Sequence, residues 1–149
     1  MRKTEISILT ALLLIVLGLT LVGCGSSNTG TSGIKGNWTA TLKNADGSIA
    51  YQFSATLSPG TGNNLNVTNL RVAAPGQCLS SNEPASGSFT PTNATFGMSM
   101  VGFAILSPEL SLQGELSGRT ISGTWMLSGG GIGACTGNGI FIMQPSTAE

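Results

Sequence analysis

From Asn37 almost to its C-terminus this chain alternates apolar with polar residues, in short runs separated by Gly, Pro, Asn and Ser, and that pattern leaves it few choices of fold. A period of two sets one face of an extended segment on a core and the other in water. The clearest run is 120–127, where Ile121, Gly123, Trp125 and Leu127 point one way and Thr120, Ser122, Thr124 and Met126 the other. Leu110, Leu112 and Leu116 repeat the pattern upstream. Between the two runs, Ser117-Gly118-Arg119 has the length and the glycine of a hairpin loop.

Near the start, Trp38, Ala40 and Leu42 form one strand face, Asn44-Ala45-Asp46-Gly47 reads as a turn, and Ile49, Tyr51, Phe53, Ala55 and Leu57 continue the face. Leu65 and Val67 share one phase while Leu70 and Val72 take the other, which predicts a bulge near Thr68-Asn69. Further strands fit 86–90, 94–101 and 139–144, for a total of about eight. The expected class is all-β: a small up-and-down antiparallel barrel, with a two-sheet sandwich as the alternative. Nearly sequential hairpin spacing from Ser86 onward favours the barrel over the long crossovers of a Greek key.

The N-terminal segment has a different logic. Arg2 and Lys3 precede an apolar run from Ile6 to Val22, interrupted by Thr10 and Thr20 and followed by uncharged Gly and Ser, which is a signal-peptide layout rather than a spanning helix. Leu21-Val22-Gly23-Cys24 resembles the lipobox of bacterial lipoproteins. That resemblance implies cleavage after Gly23, a diacylglycerol on the Cys24 sulfur and an acylated N-terminus, hence a membrane partner through the lipid anchor. With Gly25 after the cysteine, the sorting rule of such lipoproteins implies delivery to the outer membrane of the cell envelope. Residues 25–33 are almost all Gly, Ser, Thr and Asn and read as a flexible tether. The expected organisation is therefore a signal peptide over 1–23, a lipidated cysteine and tether over 24–33, and one domain over 34–149.

With Cys24 committed to lipid, Cys78 and Cys135 remain as an even pair in an oxidising compartment and predict a disulfide. It would tie 74–85 to 129–139 and place both loops at one end of the domain. The cations past the signal are Lys35, Lys43, Arg71 and Arg119, against Asp46, Glu83, Glu109, Glu115 and Glu149. They form no basic patch in the sequence, which argues against nucleic acid as a partner.

Gly36-Asn37-Trp38 resembles the Gly-x-Trp that opens lipocalin and avidin-type barrels, and 86–141 resembles small uncharacterised all-β lipoproteins of environmental bacteria. In the latter, strands read like Ile121-Ser122-Gly123-Thr124-Trp125, and a Gly-rich loop carries a cysteine as Gly130 to Cys135 does. The second resemblance implies no activity.

The chain has no histidine, which removes the usual general base and transition-metal ligand. Ser32-Gly33-Ile34-Lys35 has the Ser-x-x-Lys spacing of penicillin-binding enzymes but runs from a tether into a strand, where no helix returns the lysine to the serine. Glu109 and Glu115 share the solvent face of one predicted strand, about 20 Å apart, well beyond glycosidase spacing of about 5–10 Å. Gly129 to Gly139 matches neither the dinucleotide fingerprint nor the phosphate loop. Met98 and Met100 have the spacing of soft copper(I) ligands, but strand geometry aims them with Phe96 at the core.

No catalytic residue, metal or cofactor is therefore expected. The leading expectation is a non-catalytic binding or structural module, taken as a monomer, whose barrel is filled by its own side chains and whose loops contact an envelope protein or wall component. A first alternative is a carrier holding a small apolar ligand lined by Trp38, Tyr51, Phe53, Phe96 and Trp125. A second is an inhibitor of a lytic enzyme or protease.

Overall fold

The computed structural model describes residues 33–73, 78–79, 84–102, 108–129 and 135–146. The expected signal peptide, Cys24 and the expected tether as far as Ser32, together with Glu83, residues 130–134 and Glu149, lie outside them. Eight strands follow one another: β1 (Gly36–Asn44), β2 (Ile49–Pro59), β3 (Asn64–Val72), β4 (Ala85–Thr90), β5 (Thr95–Val101), β6 (Glu109–Ser117), β7 (Thr120–Ser128) and β8 (Gly137–Pro145). Each pairs antiparallel with the next, and β1 pairs with β8 from Trp38↔Pro145 to Asn44↔Gly139, so the sheet closes into an up-and-down barrel. Closure removes the exposed edges that an open sheet would have to protect.

The alternation does what period two requires. Leu110, Leu112 and Leu116 of β6 and Ile121, Trp125 and Leu127 of β7 are buried, while Glu109, Glu115, Ser122, Thr124 and Met126 face solvent. Phe96, Met98 and Met100 lie in the core, at most 3% exposed. The β6–β7 loop is the two residues Gly118 and Arg119, and Gly118 has φ +60°, the positive value that a II′ turn demands at its first central position.

The bulge falls where the phase change in β3 predicts it. Ser54 pairs with Arg71 and Thr56 with Thr68, so Asn69 and Leu70 together oppose Ala55. Asn69 takes φ +52°, a left-handed conformation that Asn tolerates better than most residues, and its side-chain amide donates to Thr56 Oγ1 at 3.2 Å. The extra residue turns Leu70 and Val72 back into the core.

A second bulge corrects the reading of Ile49. Leu42 pairs with Tyr51 but Lys43 with Ile49, so Ala50 is the extra residue and the phase of β2 flips there. Ile49 faces outward at 58% exposure instead of sharing the inner face with Tyr51 and Phe53. The last strand also starts earlier than expected, so Gly137 belongs to β8 rather than to the preceding loop.

Strand directions give the barrel two unlike ends. At one lie Gly33 and Ile34 ahead of β1, the short turns after β2, β4 and β6, and Ser146. At the other lie the β1–β2 turn and the strand ends joined by 73–84, 102–108 and 129–136. A buried apolar residue from outside the strands seats at each: Ile34 (0% exposed) ahead of β1, and Leu79 (3%) between β3 and β4. Trp38 Nε1 donates to the Ile34 carbonyl at 2.8 Å, and Leu79 follows Cys78, which is disulfide-bonded to Cys135. Both plugs are thus fastened to the barrel wall.

Candidate functional site

The disulfide end gathers the most varied chemistry. Cys78 and Cys135, 57 residues apart in sequence, hold the β3–β4 and β7–β8 connections together with a Cα separation of 5.5 Å. Both cysteines pack against the core beside Leu79. Next to them Trp125 of β7 lies across β8, a geometry that the sequence of β8 permits. A methyl at Gly137 would come within 2.8 Å of the indole, and one at Gly139 within 2.9 Å of its nitrogen and into the Lys43 carbonyl. With both side chains absent, Trp125 Nε1 reaches over β8 and donates to the Lys43 carbonyl of β1 at 2.9 Å.

Tyr51 meets that indole edge to face, with ring centroids 5.9 Å apart at 89°, the arrangement aromatic quadrupoles favour. The Tyr51 ring is half-buried on the inner face of β2, and burial pushes its phenol above the ordinary value of 10.0. Its hydroxyl has no hydrogen-bond partner among the described residues, so it is the one polar handle of this inner rim. In the adjoining β1–β2 turn, the Ser48 hydroxyl at 2.6 Å and the Ser48 backbone N–H at 2.9 Å hold the exposed Asp46 carboxyl below 3.8.

At this rim, Trp125, Asn44, Thr124, Asn138, Gly139 and Ile140 border an open groove of about 390 Å³. Two carboxamides, a hydroxyl and one exposed isoleucine can hydrogen-bond a polar chain while covering a small apolar group. Recognition is the chemistry that this donor set supports.

The five residues suggested as a ligand lining do not form one site. Trp38 packs at the Ile34 end, and Trp125 and Tyr51 at the disulfide end. Phe53 and Phe96 lie in the core with them, and all but Tyr51 are at most 2% exposed. Ile34 and Leu79, which close the interior, were missed in the sequence reading. Their only signal was a large apolar residue stranded in a polar segment, one just before Gly-x-Trp and the other beside a cysteine. Glu109 and Glu115 lie on the outer face of β6, as expected, and Glu109 accepts a hydrogen bond from Ser99 Oγ at 2.9 Å. Lys35 is exposed just ahead of β1. No family model matches the chain, and neither a curated protein nor a solved structure matches it significantly.

Proposed function

We propose that this protein is a membrane-anchored envelope lipoprotein whose barrel is a rigid, self-filled module that recognises a partner through its surface. The observation that carries the reading is the occupancy of the interior: the inward side chains of all eight strands form one buried cluster, with Ile34 and Leu79 packed into it from the two ends. A carrier of similar strand number reserves that volume for its ligand. Here bulky side chains such as Trp38, Phe53, Phe89, Phe96 and Phe141 fill it. The lipobox-like Leu21-Val22-Gly23-Cys24 supplies the anchor in this reading, and the polar residues 25–33 supply the tether. More than one acyl chain gives stable membrane attachment.

The carrier reading keeps one observation in its favour, the Tyr51 hydroxyl beside Trp125, which has no hydrogen-bond partner among the described residues. One experiment separates the two. The protein is expressed in a bacterial envelope, released in mild detergent, and weighed intact under native and then denaturing, non-reducing conditions. The expected denatured mass begins at Cys24, carries acyl chains and is two hydrogens lighter than the reduced chain; the native mass carries no additional small molecule. A chain retaining Met1 overturns the lipoprotein reading, and a discrete mass released on denaturation overturns the filled module in favour of the carrier.

A further inference from the structure

Among the described residues five large apolar side chains are exposed, and four of them fall on one wall of the barrel. Ile140 (55%) and Ile142 (42%) project outward from β8. Met126 stands diagonally across on β7, opposite Asn138, and Ile49 lies beyond Lys43 on β2. Ile140 is flanked by Thr124 and Lys43, and Ile142 by Ser122 and Thr41. Single exposed apolar residues are ordinary, whereas a contiguous group marks a contact surface.

Charge and chain path say what covers it. Strands β7, β8, β1 and β2 carry no carboxylate; Asp46, in the turn past β1, is engaged by Ser48, and Glu109 and Glu115 lie beyond β7 on β6. Lys43 sits inside the apolar group, and Lys35 and Arg119 mark the end where the chain enters the barrel. That entry is beside the same wall: β1 borders β8, and Ser146 N–H donates to the Asn37 carbonyl at 2.8 Å. For a Gly- and Ser-rich composition like that of 25–33, about ten residues correspond to a root-mean-square span of roughly 17 Å. Ile142 and Ile140 lie about 10 and 17 Å along β8 from Pro145.

We propose that this wall rests on the anionic lipid bilayer in which the Cys24 anchor sits, so that the barrel lies on its side. Ile140, Ile142 and Met126 enter the interfacial region, and the Lys43 ammonium reaches headgroup phosphates along its apolar stem. Tethering raises the effective concentration of the bilayer at this patch, which lets a contact too weak to recruit the domain by itself persist. The inference rests on the lipoprotein reading, and it turns the groove that Thr124 and Ile140 border toward the membrane.

Met126 is the built-in probe, because Met98, Met100 and Met143 are at most 3% exposed. Acylated protein, wild type and Ile140→Ser/Ile142→Ser, is reconstituted into phosphatidylethanolamine–phosphatidylglycerol vesicles, treated with dilute peroxide, and mapped for sulfoxide at Met126. Chains begun at Gly25, which keep the whole barrel, give the reference rates in solution. The expected result is flotation of both acylated proteins with the vesicles, Met126 oxidation slowed at least threefold in the wild type, and near-solution rates in the variant. Flotation with unprotected Met126 overturns the side-on contact while leaving the anchor intact; loss of flotation overturns the anchor itself. Protection that fades as protein is diluted over more lipid assigns the wall to a second copy of the chain and also overturns the proposal.

Discussion

Phe96 on β5 and Phe141 on β8 meet with ring centroids 6.2 Å apart, tilted at 50°, across two strands that contribute only glycine at the crossing. The register runs Phe96↔Gly114, Gly114↔Gly123 and Gly123↔Phe141. A methyl at Gly114 would sit 2.9 Å from Phe141 Cζ and collide with the Ser122 carbonyl, and one at Gly123 would collide with the Gln113 carbonyl. The two rings fill the space that the two glycines vacate, which is how a small barrel packs large side chains without strain.

Gly123→Ala should therefore lower stability by about 1–3 kcal/mol through overpacking, with Gly114→Ala behaving alike. Urea unfolding followed by tryptophan fluorescence measures this. An unchanged midpoint for both variants would show that the rings are not held as described.

The Cys78–Cys135 bond closes a 57-residue span. In the chain-entropy model its removal in a Cys78→Ala/Cys135→Ala variant should cost about 4 kcal/mol. Because Leu79 is seated next to Cys78, amide exchange at Leu79 should accelerate more than at Ile34, at the opposite end. Equal acceleration at both residues would contradict the placement of the plug.

At that opposite end, Ile34→Ala should cost about 2–4 kcal/mol, because Ile34 is fully buried and its neighbours are strands that cannot collapse into the gap. Trp38→Phe should cost about 1–2 kcal/mol, since it leaves the buried Ile34 carbonyl without its donor. Denaturant melts of the two variants and the wild type test both figures.

Tyr51 is the sole tyrosine, so phenolate absorbance reports it alone. Its folded midpoint should lie above 10.0 and return to the ordinary value in denaturant. Burial raises the folded value, so the neutral phenol favours the native state. The associated stabilisation is complete below 10.0 and is lost as pH climbs through the raised folded value. A folded midpoint at or below the denatured one would place the ring in solvent.

Some of the candidate surface was readable in advance and some was not. The outward phase of Met126 follows from the alternation in 120–127, and the pairing of Cys78 with Cys135 follows from cysteine arithmetic. The outer apolar wall did not follow, because Ile49 reads as inward until the bulge at Ala50 is known. Neither could the crossing of Trp125 over Gly137 and Gly139 be foreseen, since it joins β7 to β1 through a strand that only barrel closure places between them.

The amino-acid order alone determined the strand count, the hairpin at Gly118, the bulge at Asn69 and the inner faces of β1, β5, β6 and β7, whereas the continuous apolar run Ile140-Phe141-Ile142-Met143 left the inner face of β8 open. Each of these is a local property, set by period-two patterning or by the turn chemistry of a few adjacent residues. The tertiary structure alone decided that β8 returns to β1, that Phe96 finds Phe141 over two glycines, and that Ile34 and Leu79 seal the interior. An alternating strand states which face is apolar and is silent about which neighbour will cover it, because the hydrophobic effect has no direction. Closure of the sheet supplies the neighbours, and with them the filled core and the outer wall.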